Sequence, residues 1–189
     1  MRFLLALLTL TVTFGRDVPY WIEPRPGGDP QLAEWALKAW ERSSGGALHF
    51  VQSSSREKAL LRVVWASGRE GLYGEARPID VDGERGAELY VRPEMDGLGP
   101  EIDAAAKKDP LLRDAIVYLT CLHESGHGLG LPHTARFADI MYSFGYGGNI
   151  SEYFGRYRRK LASRADIRSN SGLSADDESH LRAILSAKP

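Results

Sequence analysis

Apolar positions recur at helical spacing in three segments of this 189-residue chain. Asp29-Pro30, Asp109-Pro110 and Ser174 each supply a capping residue where such a segment begins, and proline suits the first helical position. The run Ser-Ala-Asp-Asp from Ser174 also has the pattern of a capping box. The apolar positions are Leu32, Trp35, Ala36 and Ala39, then Leu112, Ile116, Leu119 and Leu122, and finally Leu181, Ile184 and Leu185. The pattern predicts three helices, and the second continues into residues 123–127.

Short apolar or alternating stretches between these helices predict four to five strands. They are Val18–Glu23, Leu48–Gln52, Leu60–Ala66, Leu72–Arg77 and Ala87–Arg92. Leu72–Arg77 is polar and contains glycine, which suits the edge of a sheet. The Gly- and Asp-containing stretch before Asp109 is interpreted as a loop. Strands early in the chain and helices late in it predict a single α+β domain.

The N-terminal segment differs from the predicted domain, because residues 3–14 are almost wholly apolar and follow the cation Arg2. A membrane-spanning helix needs about 20 apolar residues, so this run is more typical of a secretory signal than of an anchor. We expect a signal peptide over residues 1–15 and a mature domain over residues 16–189. The protein would then be secreted, or periplasmic in a Gram-negative bacterium, with no stable membrane span after cleavage; an uncleaved anchor is the alternative.

The composition of the chain limits the classes of partner that the protein is expected to bind. The formal net charge is −1 and no basic stripe is present, so nucleic acid is not an expected partner. Cys121 is the lone cysteine, so an intramolecular disulfide is excluded and stability must come from the core and any bound metal. We expect a monomer.

Histidines in HESGHGLGLPHT, residues 123–134, have the spacing of metal ligands. His123 and His127 are four residues apart and therefore share one face of a helix. Gly130 allows the chain to turn sharply, and His133 can then return as a third ligand. Three neutral nitrogens with one open position are typical of catalytic zinc. Glu124 is placed to act as the general base for a zinc-activated water.

HExxHxxGxxH followed by a methionine resembles the metzincin signature, and among metzincins the chain is most similar to the matrixins. Thr134 after the third histidine, Tyr142 after Met141 and the ending LSADDESHLRAIL carry this resemblance. It implies a zincin fold: a mixed, twisted sheet of four to five strands, an active-site helix and a C-terminal helix. It also implies that Met141 lies in a tight turn beneath one catalytic zinc ion. The chain departs from the family in offering only His49 among its strands, so the family's second, structural zinc is not expected.

The resemblance further implies a peptide or protein substrate that lies extended along the edge strand. The substrate-binding residues would be Leu72, Tyr73, Gly74, Glu75, Ala76, Leu119 and Tyr142, with an apolar residue after the cleaved bond. The expected activity is a secreted zinc metalloendopeptidase. A dedicated processing peptidase with one narrow substrate and a non-catalytic binding module on the same fold are the alternatives.

Three weaker signals remain. Asp80-Val-Asp82-Gly83-Glu84 is interpreted as a strand turn, with calcium as the alternative. The basic and aromatic run Tyr153–Lys160 is interpreted as a solvated helix face, with a basic rim beside the cleft as the alternative. Asp139 would either orient a ligand histidine or shape the turn. About thirty residues, Ser143–Gly172, separate this turn from the last helix, more than matrixins have.

Overall fold

The computed structural model describes residues 15–67 and 73–187. The predicted signal peptide therefore lies outside the described residues except for Gly15, as does Leu72. The α+β prediction is confirmed. The strands are β1 (Arg16–Ile22), β2 (Leu48–Gln52), β3 (Leu61–Trp65), β4 (Gly74–Val81) and β5 (Glu84–Val91). The helices are α1 (Pro30–Ser43), α2 (Pro100–Lys108), α3 (Pro110–Leu129), α4 (Ile150–Arg158), α5 (Asp166–Ser169) and α6 (Ala175–Ala187).

The strands form a mixed sheet in the order β2-β1-β3-β5-β4. The β1–β2, β1–β3 and β3–β5 pairs are parallel, whereas β4 pairs with β5 antiparallel through a tight turn. Asp82 and Gly83 adopt positive φ in that turn, and the Gly83 N–H donates to Asp80 Oδ1 at 2.9 Å. The strand-turn interpretation of this acidic segment is confirmed, and β4 lies at the sheet edge, where it contacts α3.

Buried residues alternate with less buried ones along β2, β3 and β5, so one face of the sheet is covered. Helix α1 packs against β1 and β2, helix α3 packs against β3, β4 and β5, and the two helices contact each other. The Trp40 indole N–H joins them by donating to the Leu122 carbonyl at 2.9 Å. The core therefore lies between the sheet and these two helices, and α3 packs against the edge strand β4.

Local signals explain the positions of the long helices. Asp29 Oδ1 accepts from Leu32 N at 3.2 Å, and Asp109 Oδ1 accepts from Leu111 N at 3.1 Å. Each aspartate thus caps free N–H groups of a helix whose first residue is proline. Gly130, at φ 105°, ends α3 in the left-handed conformation, as expected from its place between His127 and His133.

Two predictions of secondary structure were wrong in part. The stretch interpreted as a loop contains α2, whose Ile102 and Ala106 are buried one turn apart. The edge strand begins at Gly74 rather than Leu72 within the described residues and runs on to Val81. Pro78 lies within it, which an edge strand tolerates because one side of its backbone needs no partner.

Residues 143–172 are also more ordered than a simple loop. They contain α4 and α5, and Tyr153, Phe154 and Tyr157 of α4 are buried. The interpretation of Tyr153–Lys160 as a solvated face is therefore wrong for its aromatic side, which packs against α3. Within the described residues, no helix combines the length and apolar character needed to cross a membrane.

Candidate metal centre and substrate cleft

Three imidazole rings converge where α3 ends and the chain turns back. His123 Nε2 and His127 Nε2 lie 3.2 and 3.1 Å from His133 Nε2. The ligand atoms of the three residues all lie within 4.8 Å of one another. Nitrogens bound tetrahedrally at 2.0–2.1 Å from zinc are about 3.3 Å apart, so the observed spacing fits one shared cation.

The proton positions on the rings favour the same conclusion. His123 Nδ1 lies 2.6 Å from the Ile140 carbonyl oxygen, and His127 Nδ1 lies 2.8 Å from the Leu131 carbonyl oxygen. A carbonyl oxygen only accepts, so each Nδ1 carries the proton and each Nε2 presents a lone pair. His133 cannot donate one proton to both lone pairs, whereas a cation satisfies them together. The three residues can therefore hold a metal ion.

Burial keeps the rings in the form that binds metal. It lowers the pKa of His123 to about 4, even though the bond to the Ile140 carbonyl opposes the shift. Burial and the neighbouring His127 lower the pKa of His133 as well. Neutral imidazole is the metal-ligating state, so the lowered pKa values of His123 and His133 favour metal binding by these two rings.

Glu124 follows the first histidine and lines the same cleft. Its side chain is buried, and burial together with the charge of Glu75 raises the pKa of its carboxyl to about 8. A divalent cation beside it would favour the carboxylate and oppose that shift. Burial thus favours the protonated form of Glu124 and a nearby cation would favour the carboxylate, so the group is suited to accept and release a proton.

The turn that carries Met141 lies beneath the histidines. Thr134 N donates to Met141 O at 2.8 Å, and Ser143 N donates to Thr134 O at 3.1 Å, so the segments after His133 and around Met141 are joined. Met141 is fully buried, and a Cβ on Gly126 would lie 2.4 Å from its Sδ. Helix α3 therefore rests directly on the methionine at a position where only glycine fits.

Two aspartates hold this turn, and neither contacts a histidine. Asp139 accepts from Thr134 Oγ1 at 2.9 Å and from Ser174 Oγ at 2.8 Å, which fits the turn-shaping interpretation of Asp139. Asp177 accepts from Ile140 N at 2.8 Å and Met141 N at 3.3 Å, while it also completes the predicted capping box with Ser174. Sequence reasoning found the capping box but missed its second function, because the partner residues are more than thirty positions away.

A cleft of about 280 Å³ opens beside the histidines. Of the residues predicted to bind substrate, Tyr73, Gly74, Leu119 and Tyr142 line it. Ala76 lines a separate depression next to His127, and Glu75 pairs with Arg77 at 2.8 Å instead of lining the cleft, since alternate strand residues face opposite sides. Tyr153 and Phe154 of α4 also form its wall, whereas the sequence analysis placed their run beside the cleft only as the alternative interpretation.

Another depression, of about 610 Å³, lies between β1 and α1. It is larger than the cleft, but it shares no lining residue with it and contains none of the histidines. Its walls include Glu34, Lys38 and Glu41, two of which already form an ion pair of 2.8 Å. Volume alone is therefore a poor guide to the chemistry of this molecule.

Comparison with known protein families matches residues 29–152 to the family described as matrixin. The chain belongs to the matrixin family. Human matrix metalloproteinase-20 is 32% identical to this matrixin over 114 residues, which is 59% of the chain and 22% of that relative. The chain thus spans about a fifth of the length of the relative. Membership supports zinc metallopeptidase chemistry in general.

Proposed function

We propose that this matrixin is a zinc metalloendopeptidase, with His123, His127 and His133 as zinc ligands and Glu124 as the proton-transferring group. The observation that carries the proposal is the convergence of three Nε2 atoms beside a buried carboxyl group on the wall of an open cleft. A structural zinc site would be closed by four protein ligands. Here three histidines converge and the cleft leaves room for substrate.

The donor set fits zinc, because the Nε2 atoms of His123 and His127 present lone pairs and each lies about a tetrahedral edge from His133 Nε2. When bound, zinc would polarise the scissile carbonyl and lower the pKa of a bound water to about 7. Glu124 would accept a proton from the attacking water at its carboxylate and later give it to the leaving amide nitrogen. Burial supports the second half of this cycle, since it raises the proton affinity of Glu124.

The proposed substrate is an extended peptide that pairs with the free edge of β4. Gly74 lies directly over Glu124, since a Cβ there would be 2.4 Å from Oε1, so a peptide paired at this strand would meet the carboxyl. Leu119, Tyr142, Tyr153 and Phe154 form an apolar wall beyond it. We infer a preference for an apolar side chain after the cleaved bond.

We also propose export, with the signal peptide ending at Gly15 and residues 16–189 forming a monomeric catalytic domain. A dedicated processing peptidase is the competing enzyme hypothesis. It is favoured by the contribution of α4 to the cleft wall, because an inserted element there would narrow the range of substrates. A non-catalytic binding module on this fold is the remaining alternative, and the presence of Glu124 in the cleft weighs against it.

Digestion of a peptide library by residues 16–189, with zinc analysis of the same preparation, tests the proposal. Zinc should be bound, and a chelator should abolish cleavage until zinc is restored. Glu124→Ala should lower the rate by about 10²-fold or more while zinc stays bound. Glu152→Ala, a change at an exposed glutamate of α4, is the control and should leave the rate unchanged. Equal cleavage by Glu124→Ala and wild type would refute the assignment.

The pattern of products separates the two enzyme hypotheses. Cleavage of many sequences with an apolar residue after the broken bond would support a general endopeptidase. Cleavage of one or a few related sequences would favour a processing peptidase. Zinc binding without any hydrolysis would favour the binding module.

A further inference from the structure

Helix α4 donates hydrogen bonds to a run of backbone carbonyls just before Met141. Arg156 Nη1 donates to the Phe137 carbonyl, and Arg156 Nη2 donates to the Ala138 carbonyl at 3.2 Å. The Tyr153 hydroxyl contacts the next two carbonyls, those of Asp139 at 2.9 Å and Ile140 at 3.2 Å. Four successive carbonyls are therefore held by two side chains one helical turn apart.

The last of these carbonyls is the one that receives the proton of a candidate zinc ligand. His123 Nδ1 lies 2.6 Å from Ile140 O, which the Tyr153 hydroxyl approaches from α4. The same peptide segment is held from its other side, because Asp177 on α6 accepts from Ile140 N. The carbonyl of Ile140 is thus held from α4 and its N–H from α6. The hydrogen bond from His123 Nδ1 to that carbonyl then orients the imidazole.

We propose that Tyr153 is a positioning residue for the zinc ligand His123 and acts through the Ile140 carbonyl. The inference rests on the proposed function, since it assumes that His123 holds zinc. A ligating histidine is oriented by the acceptor at its second ring nitrogen, and loss of such outer partners weakens metal binding. Tyr153 contacts that acceptor and not the histidine itself. We therefore expect its loss to weaken zinc binding about tenfold, the lower end of the range for outer partners.

The ring of Tyr153 is held independently of its hydroxyl. It is 4% exposed and packs edge-on against Phe137, Phe144 and Phe154, with ring centroids 5.2–5.5 Å away. The guanidinium of Arg156 lies 4.3 Å from its centroid. Tyr153→Phe therefore keeps these contacts and removes only the donor to the carbonyls of residues 139 and 140.

Tyr157→Phe is the matched control. Tyr157 is one turn further along α4, is equally buried, and its hydroxyl donates to a backbone carbonyl, that of Asn170, at 2.6 Å. No candidate zinc ligand bonds to that carbonyl in the described chain. Both variants lose one buried hydroxyl that donates to the backbone, so their unfolding midpoints should fall by similar amounts.

The measurement is the zinc dissociation constant of the folded protein, obtained by competition with a coloured chelator, together with the unfolding midpoint of the zinc-free form. We expect Tyr153→Phe to raise the dissociation constant about tenfold and Tyr157→Phe to leave it within about twofold of wild type. Equal effects of the two variants, or none, would overturn the inference. Tighter zinc binding by Tyr153→Phe would also overturn it, since the hydroxyl would then compete for the Ile140 carbonyl instead of fixing it.

Arg156→Met provides a second, independent variant. It frees the carbonyls of Phe137 and Ala138 and removes the cation over the Tyr153 ring, but it leaves the donors to Ile140 in place. Zinc affinity should therefore stay within about twofold of wild type in Arg156→Met. A loss as large as the one expected for Tyr153→Phe would assign the effect to the packing of α4 as a whole and would overturn the inference, also if Tyr153→Phe does not fold. Failure of the wild type to bind zinc would instead refute the proposed function itself, so the two failures are distinguishable.

Discussion

Gly74 offers the sharpest test of how the edge strand and Glu124 fit together. A Cβ at this position would lie 2.4 Å from Glu124 Oε1 and 2.8 Å from Thr120 Cγ2, whereas ordinary contact begins at 3.4 Å. Gly74→Ala therefore forces a displacement of about 1 Å, which falls on the carboxyl or on β4. A misplacement of about 1 Å near reacting groups costs about 10²-fold in rate, or about 2.7 kcal/mol of activation free energy.

We expect kcat/KM for a fluorogenic peptide to fall by about 10² in Gly74→Ala. Most of the loss should appear in kcat, because the displaced group transfers protons. Zinc content and the unfolding midpoint should stay close to wild type. Gly155→Ala on α4 is the control, since the nearest atom to its Cβ would be Arg159 Nη1 at 3.3 Å, the movable end of a side chain. Wild-type kcat/KM in Gly74→Ala would show that β4 does not press on Glu124 and would refute the reasoning.

Three further substitutions test the packing and the hydrogen bonds that support the fold. Gly126→Ala places a Cβ 2.4 Å from Met141 Sδ and should destabilise the protein by about 1–3 kcal/mol in urea unfolding; a stabilised variant would contradict the packing. Asp177→Ala removes the acceptor of three backbone N–H groups and should cost about 3–5 kcal/mol in the same assay; unchanged stability would contradict its role in holding the turn. Hydrogen bonds from the backbone N–H groups of Ser163 and Ala162 lower the pKa of the Asp166 carboxyl. The stability that the ionised carboxylate adds is therefore present above the ordinary pKa of aspartate and is lost as the pH falls through the lowered pKa. Asp166→Asn should therefore lose more unfolding free energy at pH 6 than at pH 3, and an equal loss at both would disprove the linkage.

Local signals in the sequence were enough to predict the elements that carry the candidate ligands. The spacing of His123 and His127 requires a helix, Asp109 caps that helix, and Gly130 ends it at a positive φ that favours glycine. Each of these features depends on residues within one or two turns of each other. The geometry of the three histidines then follows from the position of His133 after the turn.

Other features had local signals that were not given enough weight. Helix α2 begins at a proline after Gly99, has Glu101 and Asp103 in its first turn and Lys107 in its last, and so complements the helix dipole. The glycines before it suggested a loop instead. The edge strand was placed too early because its apolar pattern is weak and Pro78 is unusual inside a strand.

The contacts that hold the Met141 turn could not be predicted from the sequence. Tyr153 reaches the Asp139 carbonyl across 14 positions and Asp177 reaches Ile140 N across 37. Nothing in the sequence near Tyr153 distinguishes a hydroxyl that donates to this turn from one that faces solvent. Such pairings depend on how whole elements pack, so periodicity and capping patterns carry no information about them.

The bond from Ile140 N to Asp177 also has a consequence for the order in which the protein becomes functional during synthesis. All three histidines have been translated by residue 133, but the carboxylate that fixes the peptide beneath them arrives 44 residues later, in the last helix of the described chain. A chain still bound to the ribosome therefore contains the three histidines well before it contains the carboxylate that fixes the peptide beneath them. The geometry of the candidate ligands is therefore completed only after residue 177 has been translated, well after the last of the three histidines.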